Sequence, residues 1–220
     1  MSATSSPSRI PDAWVRRITH GLTLFVRWVS RHWLLLANLA LGFYGGLPLL
    51  APVLMAAGYE RPAGLIYLLA KPFCHQLPER SFFLFGKQWV YSYEELSQLL
   101  GGSVPSRYIG AQGIGFKTAV CQRDVATYLA MFVAGLVFVG LRGRLKPLTI
   151  KQFVAFCVPI GVDGLGQLFG LWTSTWWSRV LTGSLFGLAC VWLAFPYLER
   201  GMSEVRQEMS IALSGGKQDG

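Results

Sequence analysis

At 220 residues the chain has room for one sizeable domain or two small ones. Apolar residues make up 52% and charged ones 14%, against roughly 25% charged in soluble domains, so the composition argues against a soluble enzyme and for a bilayer protein. The formal charge of +9 comes without the basic-aromatic patch that nucleic acid needs, and four cysteines are too scattered for a secreted disulfide framework.

Residues 1–12 are rich in Ser and Pro and are expected to be disordered, with no signal-peptide core following them. From Trp14 to Trp33, arginines alternate with apolar residues at spacings of three and four. That pattern suits either an amphipathic helix on the membrane surface or a basic lead-in to the first span. Residues 34–58 carry no charge and are long enough to cross a core of about 30 Å, with Pro48 and Pro52 expected to kink the second half. Residues 63–73 are apolar but too short to span, which suits an interfacial or re-entrant helix.

Between Gly86 and Gln112 the character becomes polar. Ser92 is placed to cap a short helix and Gly101-Gly102 to stop it. Gly110 to Thr118 fails as a phosphate-binding loop, because Phe116 separates Gly115 from Lys117. Three further spans are expected at about 125–141, 153–172 and 177–197, the last two joined by the short turn Thr173-Ser174-Thr175. Gly183-x-x-x-Gly187 predicts close helix contact. A polar tail, 201–220, follows, in which Met202 to Leu213 has the pattern of an amphipathic extension.

The reading is an all-α integral membrane protein of about four transmembrane helices. It divides into a basic N-terminal segment (1–33), a membrane domain (34–200) with an extramembrane insertion at 59–123, and the tail. With four spans, the N-terminal segment, the 142–152 connection and the chain after Glu199 share one side and carry five, four and three Lys or Arg. The positive-inside rule then places both termini in the cytoplasm. The opposite side holds the 58–123 segment, with seven basic and four acidic residues.

Two polar clusters carry the chemistry. Lys71-Pro72-Phe73-Cys74-His75-Gln76-Leu77-Pro78-Glu79-Arg80-Ser81 packs thiol, imidazole, carboxylate and guanidinium between prolines, and Cys121-Gln122-Arg123-Asp124 stands at the mouth of the second span. Cys74, His75, Cys121 and Asp124 are of types that bind zinc or another divalent transition metal, and Cys-x-x-Asp sets two ligands one helical turn apart. A Cys74–Cys121 disulfide and plain packing are the competing readings. Four such groups must converge within about 5 Å to share one ion. Inside the third span, Asp163 is an ionisable group at membrane depth with Gln167 four residues on, and Arg179 is placed to reach toward it. Glu79, Arg80, Arg123, Tyr128, Asp163, Gln167, Ser174 and Arg179 are the candidate pocket residues. Cys157 and Cys190 sit among apolar neighbours and read as packing residues.

Cys74-His75-Gln76, Pro78-Glu79-Arg80-Ser81-Phe82-Phe83, Val120-Cys121-Gln122-Arg123-Asp124 with Tyr128, Asp163-Gly164-x-x-Gln167, and then Ser174, Arg179, Thr182-Gly183 and Gly187 occur in that order. Over about residues 64–200 this set resembles the prokaryotic predicted membrane proteins catalogued as domain of unknown function 2085. Many relatives read Cys-x-Arg-Cys where this chain reads Cys121-Gln122-Arg123-Asp124, so a harder oxygen ligand replaces a thiolate here. The resemblance implies an architecture and a set of site residues, and no reaction. The functional expectation is a metal-binding membrane protein, extending to a metal-dependent enzyme. Its alternative is a non-catalytic disulfide-stapled scaffold or small-solute carrier.

Overall fold

The structure, a computed structural model, describes residues 12–215. The expected disorder of residues 1–12 therefore falls almost wholly outside the described residues, as does the end of the tail. The described residues hold six α-helices: α1 (Asp12–Ala56), α2 (Glu60–Ala70), α3 (Tyr93–Leu100), α4 (Gln122–Leu141), α5 (Ile150–Leu168) and α6 (Trp176–Gly215). Three of them, α1, α4 and α6, are long and apolar enough to cross a membrane. The helix α5 is 19 residues long, but Lys151, Gln152, Asp163 and Gln167 dilute its apolar character.

The expectation of an all-α chain needs correction. Short strands β1 (Phe83–Leu84), β2 (Gly110–Ala111) and β3 (Gly115–Lys117) form an antiparallel sheet in the order β1-β3-β2. No strand exceeds three residues, so the alternation that betrays a strand never develops. The glycines make the sheet work: Gly115 has φ +94°, and a Cβ there would lie 2.6 Å from the Leu84 carbonyl oxygen. The stretch compared above with a phosphate loop is thus the β2–β3 hairpin. Under it, Phe83, Tyr91 and Leu96 form a small core. Ser92 caps α3 in a reciprocal box with Glu95, and Gly101 ends it in the left-handed conformation, as expected.

By contacts the chain divides into two units. One comprises residues 12–36 and 197–215 among those described. Within it, Glu199 accepts from Trp33 Nε1 (2.9 Å) and pairs with Arg206 (3.0 Å), whose second nitrogen donates to the Ser30 carbonyl (3.0 Å).

The other unit, Ala37–Pro196, carries every candidate site residue. Its helices meet through small residues. A Cβ at Gly183 would lie 2.5 Å from the Arg123 carbonyl, and one at Gly187 2.4 Å from that of Thr127, so α4 and α6 touch backbone to backbone. Thr127 Oγ1 spans the contact, donating to Arg123 O (2.9 Å) and Gly183 O (3.1 Å). Gly183→Val is therefore expected to force the helices apart at a cost of about 1–3 kcal/mol or more, read as a lowered unfolding temperature in detergent. Gly140→Val, at a position with open space around it, serves as the control.

Prolines decide how the insertion docks on α1. Pro52 has no N–H to give the Pro48 carbonyl, and that carbonyl accepts from Ala119 N–H instead (3.1 Å). Ala119 and Ala51, both fully buried, pack there with Ala63 and Tyr67 of α2. This pins the chain two residues before Cys121.

Candidate metal centre and its polar surround

Cys74 follows α2 in a turn that opens with its own N–H bonded to Ala70 O (3.2 Å). Pro72 and Pro78 keep the segment out of helix, and Gln76 takes φ +55°, a left-handed conformation uncommon outside glycine. Gln76 holds that conformation by donating Nε2 to Tyr67 O at 2.7 Å. Pro78–Arg80 then form a single 3₁₀ turn, and Ser81 Oγ donates back to Leu77 O (2.9 Å).

Cys121 is the N-cap of α4. Its backbone N–H donates to Cys74 Sγ (3.2 Å), and its own thiol donates to Asp124 Oδ2 (3.1 Å). One ligand atom each from Cys74, Cys121 and Asp124 lie within 4.8 Å of one another. Tetrahedral zinc at about 2.0–2.3 Å from its ligands needs them about 3.5–3.8 Å apart, so small rotations close the gap.

Two effects favour the Cys74 thiolate. Its acidity is raised chiefly by the hydrogen bond from the Cys121 side chain and by the Gln76 backbone N–H, against the cost of burial. The N-terminus of α4 adds its partial positive charge. Cys121 moves the other way: its bond to Cys74, burial and the Asp124 charge hold it protonated far above the usual thiol range. Cys74 is therefore the more thiolate-like sulfur and Cys121 the more thiol-like.

His75 does not join them. It is exposed and stands outside the three-residue group. His75 lines a cavity of about 210 Å³ with Lys71, Arg107 and Lys117, while Cys74 faces Cys121. The expectation of four converging ligands is corrected to three.

Lys117 is the residue the sequence reading passed over. It is 1% exposed, and Nζ donates to the Gln76 carbonyl. Its own carbonyl accepts from Tyr67 O–H at 2.5 Å. Burial pulls its pKa down to about 8, opposed by the charges of Cys74 and Glu79. The signal was a lone lysine flanked by Phe116 and the run Ala119-Val120, in a hairpin not recognised as one.

The ion pair of Asp163 also differs from expectation. Its partner is Arg123 of α4, through Nη2 to Oδ2, and the two side chains are 19% and 12% exposed. Ser178 Oγ adds a longer bond to Oδ1 (3.4 Å). Arg179 instead donates to Gln122 Oε1 (3.1 Å), and Gln122 Nε2 donates to Ser81 O (3.1 Å). Gln122, fully buried, thus ties the first polar cluster to α6. Arg123 on α4 also lies against Gly164 of α5, next to Asp163 in the chain.

The remaining candidates scatter. Glu79 and Arg80 are half-buried on the 3₁₀ turn. Tyr128 packs edge-on against Tyr44 (4.8 Å between centroids) beside an apolar cavity, one helical turn after Asp124 on α4. Gln167 is half-buried on α5, and among the described residues no side-chain hydrogen bond joins it to the others. Ser174 is 7% exposed, with an unpartnered hydroxyl.

Residues 105–193 match the family model described as predicted membrane protein (DUF2085). The resemblance holds. The matched stretch contains Cys121, Gln122, Arg123, Asp124, Asp163, Ser174 and Arg179, while Cys74 lies before it. The chain is also similar to the uncharacterized protein MJ1492 of Methanocaldococcus jannaschii, 26% identical over 134 residues, covering 60% of this chain and 67% of the relative. No solved structure matches. The chain accordingly resembles DUF2085 as a membrane protein with helices able to span.

Proposed function

We propose that this DUF2085-like chain binds a divalent transition metal, zinc first, through Cys74, Cys121 and Asp124. The observation that carries the reading is the meeting of two thiols and a carboxylate from segments 47 positions apart in the chain, within 4.8 Å. A mixed set of two sulfurs and one oxygen suits zinc. Three protein ligands leave a fourth position for water or substrate, the pattern of catalytic rather than structural zinc, so the reading extends to a metal-dependent membrane enzyme. At the open position the ion supplies Lewis acidity. Around it the chain's own residues do the rest: Lys117 holds the Gln76 turn, and Gln122 orients the first turn of α4.

The proposal includes a fourth span. At 19 residues α5 reaches about 28 Å, and its Asp163 is neutralised by Arg123. Four spans put both termini in the cytoplasm and the metal centre at the extracytoplasmic face, where the basic 142–152 connection lies opposite.

Metal analysis of the purified chain is expected to give one zinc per molecule, lost in Cys74→Ser and Cys121→Ser and kept in His75→Ala. Zinc should also protect Cys74 from iodoacetamide, which otherwise labels it ahead of Cys121 at pH 7. A metal-free protein with both thiols oxidised would sink the proposal in favour of a disulfide-stapled scaffold.

A further inference from the structure

The contact of α4 with α5 and α6 buries more positive charge than it neutralises. Arg179 is 7% exposed, yet its one side-chain partner is the neutral amide of Gln122. The charges its guanidinium faces are Arg80, Arg123, Asp163 and Cys121. Asp163, the one carboxylate among them, is committed to Arg123. Arg80 stands next to Ser81, whose carbonyl holds the Gln122 amide that in turn holds Arg179. It forms no side-chain hydrogen bond or ion pair among the described residues. Three guanidiniums therefore share one carboxylate, leaving an excess of two positive charges.

The hydrogen-bond accounting points the same way. Arg123 Nε and Arg179 Nε are both buried without an acceptor, and so is the hydroxyl of Ser174 just ahead of α6. An unpaired buried guanidinium costs several kcal/mol, and native structures leave few such donors unsatisfied. What is missing is an acceptor that is anionic, has several oxygens and suits planar donor forks. A carboxylate would meet one fork. A phosphate group, with three or four oxygens and one to two negative charges, meets several and balances the excess.

We infer that Arg80, Arg123 and Arg179 form a binding site for a phosphate group where α4, α5 and α6 meet. The site is independent of whether an ion sits between Cys74 and Cys121, and it stands or falls separately from the metal proposal. Two sources share the chemistry: the headgroup of an anionic phospholipid and free phosphate.

Two arms of one experiment separate them, on the full chain purified in detergent. In the first, inorganic phosphate is titrated at constant ionic strength against chloride while thermal unfolding is followed. In the second, protein exchanged from mixed micelles containing phosphatidylglycerol or phosphatidylcholine is weighed by native mass spectrometry for retained lipid. A saturable rise in unfolding temperature assigns free phosphate, and selective retention of phosphatidylglycerol assigns the headgroup. Arg80→Gln, which removes no hydrogen bond within the protein, is expected to weaken either response about tenfold, the effect of losing one charge-assisted bond. Circular dichroism of that variant should match the parent, and Arg179→Gln is a second variant where it folds. No response in either arm, or an equal response in Arg80→Gln, overturns the site.

Discussion

Asp163→Ala is expected to destabilise the chain by about 3–5 kcal/mol, because it leaves Arg123 buried beside α5 with no acid. The pair is mostly shielded from solvent, at 19% and 12% side-chain exposure, so water can screen little of the loss. Ser178 also loses an acceptor for its hydroxyl, although it keeps the bond to Thr175 O (3.0 Å). Asp163→Asn is expected to cost less, since the amide oxygen still accepts from the guanidinium while the charge is gone. The double variant Arg123→Met, Asp163→Leu should recover most of the stability, because it removes both charges together and returns an apolar contact. Denaturant unfolding in detergent micelles measures all three. If the double variant were as damaged as Asp163→Ala, the unpaired charge of Arg123 would not be the cause of the loss. The same set bears on the phosphate site: with Asp163 gone the excess of positive charge rises, and phosphate should bind more tightly.

The second large effect is a dependence on pH set by Lys117. Its amine titrates near 10.5 when free and at about 8 in the fold, where burial disfavours the charged form. Between those values the unfolded chain carries the proton and the folded chain does not, so stability rises with pH through that window. The penalty for the charged form is complete below pH 8 and is released by about pH 10.5. At 1.36 kcal/mol per unit, this amounts to about 3 kcal/mol across the window. Thiols of the unfolded chain titrate in the same window, so the informative quantity is a difference. Unfolding free energy measured from pH 7 to pH 10.5 in the parent and in Lys117→Met should diverge by that amount, the parent gaining relative to the variant. Parallel curves would mean that Lys117 keeps its proton, with Cys74 and Glu79 compensating it fully. Lys117→Met also strands the Gln76 carbonyl, so its stability at pH 7 is the net of two opposing changes and carries less information than the slope.

Both effects depend on partners that the sequence could nominate but not pair. Asp163 in an apolar helix announces a buried acid, since the cost of such a group at membrane depth leaves few other reasons for it. Arg179 was the partner the sequence suggested for it. In the structure Asp163 pairs with Arg123, while Gln122 occupies Arg179. The Cys74, Cys121 and Asp124 cluster shows the same division. Cys121-x-x-Asp124 is legible because a helix start places residues three apart on one face, and the structure joins that thiol and carboxylate. His75 looked equally suitable beside Cys74, and the fold leaves it exposed and outside the group.

Secondary structure divides along comparable lines. The long apolar helices, the Ser92 cap and the Gly101 stop are local properties, decided by hydropathy over many residues or by one side chain near its own backbone. The sheet was not legible, because strands of two or three residues have no period to read, and their register rests on glycines that admit close backbones.

By itself, then, the sequence determined that this is a membrane protein with spanning helices, and that its reactive side chains gather at two polar clusters. Apolar length and local capping suffice for that, since each acts within a few turns of chain. Only the tertiary structure decided which charges meet. The Pro48 carbonyl, vacated by Pro52, fixes Ala119 and with it Cys121, and the paired glycines of α6 set how close Arg123 comes. Such contacts join residues up to 71 positions apart through backbone groups, which carry no mark of their partner in the order of the amino acids.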